Sequence, residues 1–115
     1  MITAEFHNDG KKISLRIKGH AEAAKEGEDI ICASASMLAY TAAQTLQFLW
    51  AEGGLKRKPI TEIGKGVARI EAIPQKNSYT EALHTFFVVQ VGFHLLSHNY
   101  PQFVELISFG ESQKT

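Results

Sequence analysis

The residues of this chain whose types and spacing can do covalent chemistry lie in one segment, GHAEAAKEGEDIICASAS, Gly19 to Ser36. It holds the chain's single cysteine, Cys32, twelve positions after His20. A thiolate is a strong nucleophile, and an imidazole within hydrogen-bond reach can hold it ionised and later deliver a proton to a leaving amine. Brought together, the pair would perform acyl transfer. Free cysteine is also among the most buried residue types, so on residue types alone an inert, packed Cys32 remains open.

The pair works only if the surrounding elements place it. From Ile30 to Glu52 the residues Ile31, Ala35, Leu38, Ala42, Leu46 and Leu49 recur three or four apart, which predicts a helix that Gly53-Gly54 stops. Asp29 is the expected N-cap, which sets Cys32 in the first turn, where unpaired amides and the positive end of the dipole favour a thiolate. A helix end supplies about 0.3–1 kcal/mol, less than one pKa unit at roughly 1.36 kcal/mol. An ordinary thiol titrates near pH ~8.5, so the helix alone is too weak an activator and any catalytic account needs His20.

Lys18 to Glu28 is expected to be a charged loop that folds back to carry His20 to Cys32, with Gly19 permitting an unusual backbone angle or a close approach. Ser36 is one turn after Cys32 on the same face and is expected to support the site. Asp29 is a weaker candidate for orienting His20, because one carboxylate serves poorly as both cap and partner. The amide of Cys32 or of a neighbour is a candidate oxyanion donor.

Around this segment, Ile2, Ala4 and Phe6 alternate with polar residues, Asn8-Asp9-Gly10 supplies a turn, and Ile13, Leu15 and Ile17 alternate again, predicting a hairpin. A second hairpin is expected from Ile60 through Gly64-Lys65-Gly66 to Ile73. Ser78-Tyr79-Thr80-Glu81 has the form of a capping box opening a second helix, with Ala82, Phe86, Val89, Phe93 and Leu96 as its core stripe. A short closing strand lies within Phe103–Phe109, before a polar tail. The order ββαββαβ predicts an α+β two-layer sandwich, two long helices packed on one sheet, with residues 1–115 as a single domain.

The totals narrow the function classes. Twelve Lys and Arg balance twelve Asp and Glu, so no overall field recruits nucleic acid or an anionic membrane. No export signal or apolar run of membrane-spanning length is apparent, and a lone cysteine fits a reducing cytoplasm. His94 and His98, four apart, lack an evident third metal ligand, and Lys56-Arg57-Lys58 is expected to be a solvated charge run. Phe86-Phe87 and Phe93 fit core better than a substrate pocket.

The segment Gly19-His20-Ala21, Gly27, Asp29-Ile30-Ile31-Cys32-Ala33 and Ser36 resembles the ribosomal-processing cysteine protease family called Prp. It departs from the expected pattern in Ala33-Ser34-Ala35, where an apolar residue is more usual, and beyond residues 19–36 the likeness is architectural. The resemblance implies Cys32 as nucleophile, His20 as base, Gly19, Asp29 and Ser36 as supporting residues, and no metal or other cofactor. It also implies a cytoplasmic homodimer that removes a short N-terminal extension from a large-subunit ribosomal protein, cutting after paired aromatic residues. No direct contact with nucleic acid or membrane is expected. The competing reading is a non-catalytic ribosome-associated binding module of the same fold with Cys32 buried; a thiol-redox protein is disfavoured by the missing resolving cysteine.

Overall fold

The computed structural model describes residues 1–19 and 25–109, the first five of the latter, 25–29, by their backbone only. Its elements run β1 (Ile2–Asn8), β2 (Ile13–Lys18), α1 (Lys25–Ala51), β3 (Ile60–Gly64), β4 (Val67–Ala72), α2 (Tyr79–Asn99) and β5 (Val104–Ile107). This is the expected ββαββαβ order, with one added turn of 3-10 helix at Lys76–Ser78.

Alternation decides which face of each strand is buried. Ala4 stands opposite Ile17, Phe6 opposite Leu15, and Leu15 opposite Ile70, so the apolar sets of β1, β2 and β4 share one side of the sheet. The strand order is β3-β4-β2-β1-β5, antiparallel except for β5 beside β1. Both helices cover the apolar side, and Phe6 meets Phe93 edge-on at 6.1 Å and Phe109 at 5.3 Å. Phe86 and Phe93 are wholly buried, as their place in the stripe predicts, while Phe87 next in sequence is exposed.

The faces of α1 follow its small residues. Ile31, Ala35, Ala39, Ala42, Ala43, Leu46 and Leu49 are buried, and the run of alanines lets the helix axis lie close to the sheet. Leu38 turns toward α2, where a Cβ on Gly92 would overlap its side chain. The far face of the sheet is polar. There Glu71, almost fully buried, accepts from Arg69 Nε at 2.8 Å and lies near Lys12 and Arg16.

Two helix starts differ from expectation. α1 begins at Lys25, so Asp29 is not its N-cap and residues 25–28 are helical rather than loop. Lys25, Glu26 and Glu28 are good helix formers, and acidic residues suit a helix N-terminus; their charge resembles a loop only in composition. The second is the capping box. The 3-10 turn runs directly into α2, and the Ser78 hydroxyl donates to Asn77 Oδ1 at 3.4 Å instead of capping the helix.

Candidate active site

Cys32 sits on the α1 face that looks along the sheet toward the β3–β4 hairpin. It is half-buried, packed against the hydrophobic core, and it lines a cavity of about 300 Å³. The walls are Ser36 and Ala39 of α1, Ile2 of β1, Ile17 and Gly19 at the end of β2, and residues 63–68 of the hairpin. That volume is at the low end for ligand cavities and suits a short piece of peptide rather than a large cofactor.

Ser36 faces the same cavity one turn beyond Cys32, as the spacing predicts. Ser34 does not. Its hydroxyl donates to the Ile30 carbonyl at 2.8 Å, and it lines a separate groove with Met37, Leu38 and Gly92.

Gly19 has two physical reasons to be glycine. Its φ is +96°, in the left-handed region that side chains disfavour, and a Cβ there would overlap the Met1 carbonyl oxygen. Its amide donates to the Gly66 carbonyl at 2.9 Å, tying the end of β2 to the hairpin turn. The chain position just before His20 is thereby fixed at the wall of the cavity that holds Cys32.

His20 and residues 21–24 lie outside the described residues, so the expected contact of His20 with Cys32 does too. Asp29 lies within the second turn of α1. With α1 starting at Lys25, Cys32 is in the third turn rather than the first, beyond the reach of the helix end. Its amide belongs to the i to i−4 ladder and is not a free oxyanion donor. The hydroxyl of Ser36, the side chain of Lys65 and the backbone of the Gly64–Val67 hairpin are among the polar groups around the cavity.

The other candidates separate from this site. His94 and His98 stack at 6.2 Å on α2, and among the described residues no three His, Cys, Asp or Glu side chains converge as a metal site. Lys56, Arg57 and Lys58 are exposed in the α1–β3 connection. No described helix is long and apolar enough to cross a membrane. The hairpin wall was visible in the sequence only as a glycine turn; nothing in its residue types marks it as facing a thiol.

A family model described as cysteine protease Prp matches residues 1–105. Among solved structures, the ribosomal processing protease Prp from S. aureus, in complex with a covalently linked product peptide, is 21% identical with a TM-score of 0.67, over 95% of this chain and 99% of that one. SMU.848 from Streptococcus mutans is 24% identical with a TM-score of 0.68, over 95% of each chain. At these identities the structural likeness carries the fold. No curated protein matches the sequence.

Proposed function

The chain belongs to the cysteine protease Prp family, and from that membership we propose that it removes a short N-terminal extension from a large-subunit ribosomal protein precursor, with Cys32 as nucleophile and His20 as its base. One observation carries the assignment of residues. Gly19, the neighbour of His20, and Cys32 line the same cavity. A likeness to a Prp whose structure holds a covalently linked product peptide supports the same chemistry.

In the proposed reaction the Cys32 thiolate attacks the scissile carbonyl carbon, and the oxyanion that forms is met by hydrogen-bond donors at the cavity wall, the Ser36 hydroxyl among them. The His20 imidazolium gives its proton to the amide nitrogen, the C–N bond breaks, and a thioester remains on Cys32. Water then loses a proton to His20 and attacks the thioester, which releases the carboxylate product and restores the ion pair. Asp29 has a supporting role through its place one turn before the cysteine. The reading includes a homodimer acting in the cytoplasm.

The test incubates the protein with a precursor of a large-subunit ribosomal protein and follows its mass. A single cut near the N-terminus is expected, absent in Cys32→Ala and in His20→Ala while both stay folded. Equal cleavage by Cys32→Ala would overturn the assignment.

A further inference from the structure

The charged side chains of this chain avoid its helical layer. Between Ile30 and Ala51 of α1 and between Ala82 and Asn99 of α2 there is no Asp, Glu, Lys or Arg. A helix that faces water on one side ordinarily carries charge there. On α2 the outward positions instead form a stripe three and four residues apart, with Phe87, Val88, Val91 and Leu95 in its middle, His84 at one end, and His94 and His98 at the other, all exposed. The His84 ring lies against Phe87 at 6.5 Å, and His94 and His98 stack at 6.2 Å.

This stripe matches itself. It is symmetric about Val91, since its members three, four and seven positions before that residue are answered by members at the same distances after it. When two copies of α2 cross antiparallel at Val91, Phe87 therefore meets Leu95 of the other copy, Val88 meets His94, and His84 meets His98. Surface relief favours that direction. The groove lined by Met37, Leu38, Gly92 and Leu95 lies beside the C-terminal half of α2, while Phe87 and Val88 stand out from its N-terminal half. An antiparallel pair seats ridge in groove, and a parallel pair sets ridge on ridge. The uncharged face of the two helices measures about 30 Å by 20 Å, of the order of the ~800 Å² per partner that a stable pair buries. Without basic side chains it offers nothing to phosphates or anionic lipid, so a second copy is the occupant it suits.

We propose that α2 pairs antiparallel with α2 of a second copy about Val91, and that at each end of the contact His94 and His98 of one copy and His84 of the other bind one divalent transition metal ion, such as zinc. This rests on the homodimer in the functional reading above and adds to it a ligand site remote from Cys32. Within one copy the site is incomplete, because only two imidazoles share that end of the stripe, and among the described residues of a single chain no three metal ligands converge. Two imidazoles on a tetrahedral ion at ~2.1 Å have ring centres about 5 Å apart, so the stacked pair at 6.2 Å needs only small side-chain rotations. The third ligand sets the crossing angle. His84 and His98 lie seven residues from Val91, about 10 Å along the helix, where a crossing of ~20° parts the axes by ~4 Å and one of ~50° by ~9 Å. The ion therefore selects the shallow class, and water fills its fourth position.

The probe is zinc alone, added to the full chain in sedimentation at protein concentrations that span dimer dissociation, with EDTA as the zinc-free arm. Zinc should tighten the dimer about tenfold or more and bind at two ions per dimer. His84→Ala and His98→Ala should each lose that tightening while the zinc-free dimer persists. Mixing these two variants should restore it, because in the mixed dimer His94 and His98 of the first meet His84 of the second and one of the two sites is whole. Loss that mixing does not restore overturns the proposal, as does tightening retained by His84→Ala, since the ion is then held without the partner. A dimer indifferent to zinc overturns the metal site and leaves the homodimer standing; a monomer with and without zinc overturns both. Zinc-driven assembly beyond the dimer marks unspecific bridging by surface histidines, and a monomer that floats with neutral phospholipid vesicles gives the face to a lipid surface; either overturns the proposal. Cleavage of the precursor by the unaltered protein tests the protease reading separately.

Discussion

The geometry around Cys32 redistributes the roles of its neighbours. A thiol in the third turn of α1 draws little from the helix end. Activation must therefore come from outside the helix, which strengthens the case for His20 beyond what a first-turn cysteine would require. The same shift in the helix start changes what Asp29 should do. As an N-cap, its replacement by alanine would cost about 1 kcal/mol of stability. Inside the helix, alanine is the better helix former by up to ~0.7 kcal/mol, so Asp29→Ala should leave stability unchanged or slightly raised in a urea titration. Cleavage measured on that folded variant then reports the carboxylate's part in the chemistry. A loss near 1 kcal/mol would restore the capping role. That Gly19 and Ser36 lie near Cys32 was legible because a glycine at a strand end and a one-turn spacing are local properties; a contact of His20 with Cys32 was not, since spacing only permits it.

The strands were legible as elements because alternation in Ile2–Phe6, Ile13–Ile17 and Ala68–Ala72 has no rival reading in a chain this short. The starts of the helices were not. Residues 25–28 are rich in charge and include Gly27, features shared by loops and solvated helical turns, and Ser78 follows a 3-10 turn that no residue pattern announced. The open face of the sheet holds a device that sequence patterning also misses. Arg69 hydrogen-bonds Glu71, and with Lys12 nearby this holds the carboxyl below its ordinary value near 4.5, against the opposing effect of burial. Arg16 completes the ring of cations at 3.9 Å. A depressed carboxyl contributes stability that is present above the unfolded value and lost as pH falls through the folded one. Unfolding midpoints should therefore decline as pH drops below about 4.5. Glu71→Gln should flatten that decline in part. Asp9, lowered by the amides of Lys12 and Lys11 in the β1–β2 turn, adds a slope of the same sign that the variant keeps. An unchanged acid limb in Glu71→Gln would show that this cluster does not set it.

At the scale of the whole molecule, one face of the sheet is covered by helices and the helices themselves carry apolar side chains outward. Met37, 66% exposed on α1, and Leu95 of α2 line a groove that reaches Gly92, and Val88 and Val91 are also exposed on α2. Isolated exposed apolar residues are ordinary, but a cluster of this kind is the surface a homodimer would cover. If it does, Leu95→Asp should sediment as a folded monomer while the unaltered protein sediments as a dimer; a dimer that survives the change lies on another face. The site itself has a property that follows from its smallest residues. Around Cys32 half of the wall is alanine and glycine, Ala35, Ala39, Ala68, Gly19, Gly64 and Gly66. A methyl group or bare backbone has nothing left to trim, so at those positions substitutions act mainly in one direction, toward a narrower site. Redesign for slimmer substrates is within reach of single replacements at Ala35 or Ala39. Redesign for bulkier ones has to start instead from the branched side chains of the hairpin wall, Ile63 and Val67, which can still be shortened.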